Sequence, residues 1–151
     1  MISFIRNLYY HVRYPYKIKR AKKELAAWKI KLKDGGLAAF RVMMSQFRYR
    51  SDGSAEWVPD SPEMVVARGW KDDCDGAAVT AEWGFRQMSM PCTIYRLVRS
   101  GGGHRVCVTN DHRYFTSNGS VVEIPEGADW KAFVLGWNWH KNYHYTRIEK
   151  V

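Results

Sequence analysis

The stretch Lys71–Arg99, KDDCDGAAVTAEWGFRQMSMPCTIYRLVR, changes its pattern once, at Pro91. Before the proline, Asp72 or Asp73 can cap a helix, and the small, apolar run behind them predicts that helix over Cys74 to about Gln87. After it, CTIYRLVR alternates polar with β-branched and aromatic residues, the pattern of a half-buried strand. Upstream of this junction the chain reads as helices, and downstream as strands. That order predicts an α+β domain: N-terminal helices, one of them carrying Cys74 at its N-terminus, packed against an antiparallel sheet.

The upstream elements follow from punctuation. In YKIKRAKKELAAWKIKLK, Ile18, Ala21, Leu25, Trp28 and Leu32 recur at three-and-four spacing with lysines on the other face, and Asp34-Gly35-Gly36 stops the run. Leu37–Tyr49 reads as a second helix and 50–61 as a loop. Ser61-Pro62-Glu63 starts a short helix that Gly69 ends. Downstream, HRVCVTN pairs with CTIYRLVR across Ser100-Gly101-Gly102-Gly103. RYFTSNGSVVEI makes two further strands around Asn118-Gly119. A short helix and a last strand finish the chain.

Charge is concentrated at one end. Residues 1–33 hold ten of the 24 Lys and Arg but only Glu24 of the 15 acids, leaving 14 of each sign in the remainder. The whole net charge of +9 therefore belongs to that segment. This divides the chain into a basic amphipathic N-terminal arm or helix, 1–33, and a domain, 34–151. The arm could dock on an acidic partner, a larger assembly, an acidic lipid surface or nucleic acid. No nucleic-acid fold signature accompanies it, so base reading is not expected. No apolar run approaches the ~20 residues of a membrane span. The broken N-terminal run is not a convincing signal peptide. Three cysteines, an odd number, leave at least one free thiol. A cytoplasmic or virion-associated protein fits these features.

The order of a cysteine on a helix and a histidine on a strand carries the chemistry. A thiol ionises unaided only near pH 8.5. A helix N-terminus favours the thiolate, and an imidazole can take the proton. Cys74 falls in the first turn of a helix capped by Asp72 or Asp73, whose carboxylates are expected to point away from the sulfur. His104 opens the strand after the glycines and is the expected partner, as a thiolate–imidazolium pair. Asn118, fourteen residues on, is the expected orienting group; Ser117 and Asp111 are weaker candidates. Cys92 and Cys107 read as core thiols. A zinc set of Cys74, Cys92, Cys107 and His112 lacks any Cys-x-x-Cys pair, so neither metal nor cofactor is expected. His140 and His144, in WNWHKNYHY, read as an aromatic surface or interface.

FRYRSDGSAEWVPDSPEMVVARGWKDDCDGAA resembles the transglutaminase-like cysteine peptidases of the papain-like superfamily, especially short bacterial and phage members. Tyr49, Asp52, Trp57 and Pro59 match the family's upstream residues, Asp73-Cys74-Asp75-Gly76-Ala77 its cysteine box, and GGGHRVCV its histidine strand. The likeness spans about residues 46–124. It departs at Asp72, where the family has glycine, and at Thr116-Ser117-Asn118, where it has an aspartate. The resemblance implies a papain- or transglutaminase-like core and a Cys74–His104–Asn118 triad working through an acyl-enzyme on a protein or peptidoglycan peptide. Asp73 would support the helix. The oxyanion hole would use the Cys74 backbone N–H with Trp57, Tyr49 or Gln46. The alternative is a non-catalytic structural or binding module on the same fold, such as a virion component docked through its basic arm.

Overall fold

The structure is a computed structural model that describes residues 8, 12–51 and 61–151. Helix α1, Pro15–Met44, is followed by strand β1 (Arg48–Tyr49), helix α2 (Pro62–Ala67), strand β2 (Lys71–Asp72) and helix α3 (Cys74–Gln87). Strands β3 (Cys92–Arg99), β4 (Gly102–Thr109), β5 (Tyr114–Ser117) and β6 (Ser120–Glu123) come next. Helix α4 (Trp130–Gly136), a 3₁₀ turn (Asn138–Tyr143) and strand β7 (Arg147–Lys150) complete the chain. The five long-range strands form one antiparallel sheet in the order β6-β5-β4-β3-β7, while β1 and β2 pair separately in parallel. The expected α+β class holds.

Alternation along β4 sorts the core into two layers. Cys107 points to the helical side, where it joins Leu25, Trp28, Leu32, Phe40, Met43, Trp70 and Phe85. Val106 and Val108 point to the opposite face, where Leu97, Phe115, Ile124 and Val134 pack with α4. Helix α3 crosses the first face, and Gly84 lets it approach α1 closely: a Cβ there would lie 2.4 Å from Phe40 Cε2. Phe40 and Phe85, both fully buried, stack with ring centroids 4.5 Å apart at this crossing.

The boundary expected at residues 33/34 is not a boundary in the packing. Asp34-Gly35-Gly36 produces a kink rather than a stop, with Gly36 at φ +54°, and helix resumes on both sides of it. All five residues of the apolar stripe, Ile18, Ala21, Leu25, Trp28 and Leu32, are buried. The Trp70 indole N–H donates to Glu24 Oε1 at 2.8 Å, so the one acid of the basic segment ties α1 to the turn before β2. Residues 15–33 thus belong to the main core, because their apolar face outweighs any tendency of the lysines to hold the helix away. No helix among the described residues is long and apolar enough to cross a membrane.

An integral helix and a detachable arm differ in a measurable way. Trp28→Ala is expected to lower the stability of the whole domain by about 3 kcal/mol in urea titration, through the cavity it leaves. An unchanged midpoint with unchanged slope would mean that the helix is peripheral.

Candidate functional site

Helix α3 begins where it does because Asp73 caps it. The Asp73 side chain accepts from the backbone N–H of Asp75 at 2.9 Å and of Gly76 at 3.4 Å. Its neighbour Asp72 is buried; it receives the Arg68 guanidinium at 2.8 Å and the Asp73 N–H at 2.9 Å. A Cβ on Gly76 would lie 2.5 Å from the Asp72 carboxyl carbon, so glycine at that position makes room for the acid. Asp72 is therefore accommodated by a glycine one helical turn later.

Cys74 is the first residue of α3 and lies against an unpaired stretch of β4. Pairing between β4 and β5 runs only from Val106–Ser117 to Val108–Phe115, because β5 ends at Ser117. The edge of β4 before Val106 is left open on that side. The Arg105 backbone N–H donates to the Cys74 sulfur there, and the Arg105 side chain reaches Asp75 Oδ1 at 3.1 Å. Asp75, the acid after the cysteine, turns toward the sulfur. The Cys74 thiol is 3.6 Å from Asp75 Oδ1, which can accept its proton.

His104 sits on the opposite face of β4 and is buried. Its partner is Ser117, not Asn118: His104 Nε2 and Ser117 Oγ are 2.9 Å apart. The reason is alternation. Phe115 and Ser117 share the face of Val106 and His104, whereas Asn118 has left the strand with φ +50°. The turn cannot shift freely, since Gly119 lies against the end of α1, where a Cβ would come within 2.8 Å of the Met44 carbonyl oxygen. Asp111 is engaged elsewhere, accepting from Thr109 Oγ1 at 2.6 Å.

Ser117 also bonds a residue that the sequence reading assigned to an aromatic surface or interface. His140 is fully buried; its Nε2 lies 2.8 Å from Ser117 Oγ, and its Nδ1 lies 2.7 Å from the Val134 carbonyl oxygen. These contacts determine every proton in the chain. A carbonyl only accepts, so His140 Nδ1 carries hydrogen and, in the neutral ring, Nε2 is bare. Ser117 O–H therefore donates to His140, and Ser117 Oγ accepts from His104 Nε2–H. In neutral His104, Nδ1 is then the basic nitrogen.

Cys74, His104 and Asn118 line one cleft of about 390 Å³, with Tyr49, Arg99, Gly103, Trp139, Tyr143 and Tyr145. The Trp139 ring packs edge-on to His104 at 4.8 Å. Burial sets the protonation states. It pushes the Cys74 thiol up to about 12, helped by Asp75 and Asp73 and opposed by the Arg105 N–H. It pushes His104 down to about 3, helped by nearby His140. His140 is lowered as well, again by burial. The expected thiolate–imidazolium pair is thus replaced by a thiol and a neutral imidazole.

The remaining candidates separate. Tyr49 lines the cleft and is 60% exposed. Gln46 lies in another groove, beside Tyr16, Arg20 and Trp70, and its amide points to the Met43 carbonyl. Trp57, with Asp52 and Pro59, lies outside the described residues. Asp73, Cys74 and Asp75 bring ligand atoms within 4.8 Å of one another, but Asp73 is occupied by the helix cap and Asp75 by Arg105. His112 stacks on Trp130 at 4.6 Å and lines a different cavity from Cys74. Cys92 and Cys107 lie on adjacent strands of the sheet, and the Cys92 thiol faces the Glu82 carbonyl oxygen at 3.9 Å. No family model, curated protein or solved structure matches the chain.

The buried imidazoles make a testable demand on stability. A histidine held neutral down to about pH 3 when folded, but titrating near 6.5 when unfolded, leaves the unfolded state binding more protons between those values. Stability is therefore expected to fall on acidification from pH 6.5 toward 4, by about 1.4 kcal/mol per pH unit for one such group. His104→Gln should flatten that slope in urea titrations. Nitrogen NMR of the wild type should show His104 protonated on Nε2 and His140 on Nδ1; the opposite tautomers would contradict the chain of donors.

Proposed function

We propose that the chain is a thiol-dependent amide hydrolase, a cysteine peptidase or amidase on a papain- or transglutaminase-like core. The observation that carries this reading is a single cleft holding Cys74, in the first turn of a capped helix, together with His104, whose Nδ1 is left basic by Ser117 and His140. In this reading Cys74 Sγ bonds to the amide carbonyl carbon, the thiol proton passes to His104 Nδ1, and the carbonyl electron pair moves onto oxygen. The backbone N–H of Cys74 is available to that oxyanion. Collapse of the intermediate expels the amine, which takes the proton from His104. Water then loses a proton to His104, attacks the thioester, and releases the acid as the thiol re-forms.

Since both groups start neutral, proton transfer accompanies bond formation rather than preceding it. The hydroxyl of Ser117 orients the imidazole but offsets its positive charge less than a carboxylate would, which favours a slow catalyst. p-Nitrophenyl acetate provides a direct test by mass spectrometry and burst kinetics. An acetyl group on Cys74 is expected, absent in Cys74→Ala and formed about 10²–10⁴-fold more slowly in His104→Ala. Acetylation elsewhere, or a rate indifferent to His104, would defeat the proposal. Iodoacetamide should alkylate Cys74 more slowly than free cysteine at pH 7, with a rate that climbs through pH 10. A plateau beginning below pH 7 would instead mean a preformed ion pair.

One observation favours a second reading, a non-catalytic binding module. The Cys74 thiol is held protonated beside Asp75, an arrangement that also suits an inert cysteine. On that reading no acyl-enzyme forms, and the lysine face of α1 remains the means of docking to an acidic partner.

A further inference from the structure

Among the described residues, three buried side-chain nitrogen or oxygen atoms lack a hydrogen-bond partner: Thr80 Oγ1, Arg99 Nε and Asn118 Oδ1. Two of the three belong to residues that line the Cys74 cleft. Buried polar groups are nearly always paired, so two unpaired atoms on residues of one cleft mark Arg99 and Asn118 as side chains that a small rotation would turn toward a ligand.

The donor is also a charge. Arg99 is the one arginine or lysine among the residues lining the cleft, and no aspartate or glutamate stands beside it there. Its position is held from two sides. The guanidinium carbon lies 4.9 Å from the centre of the Tyr143 ring. Across the hairpin Arg99 pairs with Gly102, where a Cβ would lie 3.5 Å from Arg99 Nε, so the side chain folds back over a residue that has none. Tyr145 lines the same cleft as Arg99 and Cys74, so the cation and the thiol share one cavity. A cation fixed on an aromatic wall, without a counter-charge, is suited to a carboxylate.

We propose that the cleft selects amides bearing a carboxylate near the scissile bond, with Arg99 receiving the anion and Asn118 Oδ1 an N–H of the same substrate. Acidic peptides, whose side-chain or terminal carboxylates lie within a few bonds of an amide, are the class that fits. The proposal rests on the hydrolase reading for its chemistry, but its recognition half can be measured without turnover.

The test uses the full chain carrying Cys74→Ala, titrated with glutarate and, separately, with uncharged glutaramide, while the Arg99 Nε–H signal is followed by NMR. A saturable shift with glutarate, at least about tenfold weaker with glutaramide and lost in Arg99→Gln, is expected. No saturable shift, or equal shifts with both compounds, overturns the proposal. With Cys74 intact, mono-p-nitrophenyl glutarate should acylate the protein about ten- to a hundredfold faster than p-nitrophenyl valerate, and in Arg99→Gln that ratio should fall to about one. Glutarate binding without acylation of Cys74 would defeat the hydrolase reading and leave the anion site standing. Acylation by both esters at equal rates would defeat the anion site alone. Asn118→Ala, which keeps the cation, should weaken glutaramate, which carries a carboxylate and an amide N–H together, and leave glutarate, which has no N–H, unchanged; an unchanged affinity for glutaramate would remove Asn118 from the proposal.

Discussion

The site depends on a strand that is paired for only part of its length. Strand β5 ends at Ser117, so the first residues of β4 keep an open edge, and the N-terminus of α3 fills the gap. The contact is made twice over, by the Arg105 N–H on the Cys74 sulfur and by the Arg105 side chain on Asp75. Had β5 run two residues further, it would have occupied the place of the cysteine. The same early end releases Asn118 into the turn and leaves Ser117 as the last residue facing His104. Cleft, thiol position and imidazole partner all follow from where one short strand stops.

The energetics explain why the site is rigid on one side and open on the other. His104, Ser117 and His140 are buried and satisfy one another, and removing any one orphans groups that cost about 1–3 kcal/mol each when unpaired. Val134, whose carbonyl terminates the chain, is itself buried against Phe115 and Leu97. The opposite wall, Tyr49, Tyr143 and Arg99, is only partly covered. One side of the cleft is thus held by the core, while the other is open to solvent.

Much of the fold was legible because its signals are local. The Asp73 cap, the break at Pro91, the glycine-rich hairpin and the Asn118-Gly119 turn each act within a few residues, and the elements begin and end beside them. The packing of α1 was legible in its stripe but masked by its lysines, which are solvated without holding the helix off the core. Ser117 could have been preferred to Asn118 by counting faces: if Phe115 points to the core beside Val106 and Val108, so does Ser117. His140 had no such signal. It sits in a 3₁₀ turn, where neither helical nor strand periodicity applies, and its partners are 23 and 6 residues away. The pairing of Asp75 with both thiol and Arg105 likewise crosses from helix to sheet and leaves no trace in spacing.

The buried hydrogen bonds also have a direction. Every donor between His104 and the Val134 carbonyl points the same way, and one hydroxyl hydrogen, on Ser117, passes that direction from ring to ring. Only the two links on either side of the Ser117 hydroxyl can reverse, because the Val134 carbonyl cannot donate. A proton added at His140 Nε2 would turn the Ser117 hydroxyl back toward His104, whose Nε2 must then be bare and whose hydrogen must move to Nδ1. His104 Nδ1 would become a donor and cease to be a base. The backbone carbonyl of Val134 biases the row toward one of its two states, and so a main-chain oxygen on a short helix, with no contact to the cleft, sets the polarity of the ring that lines it.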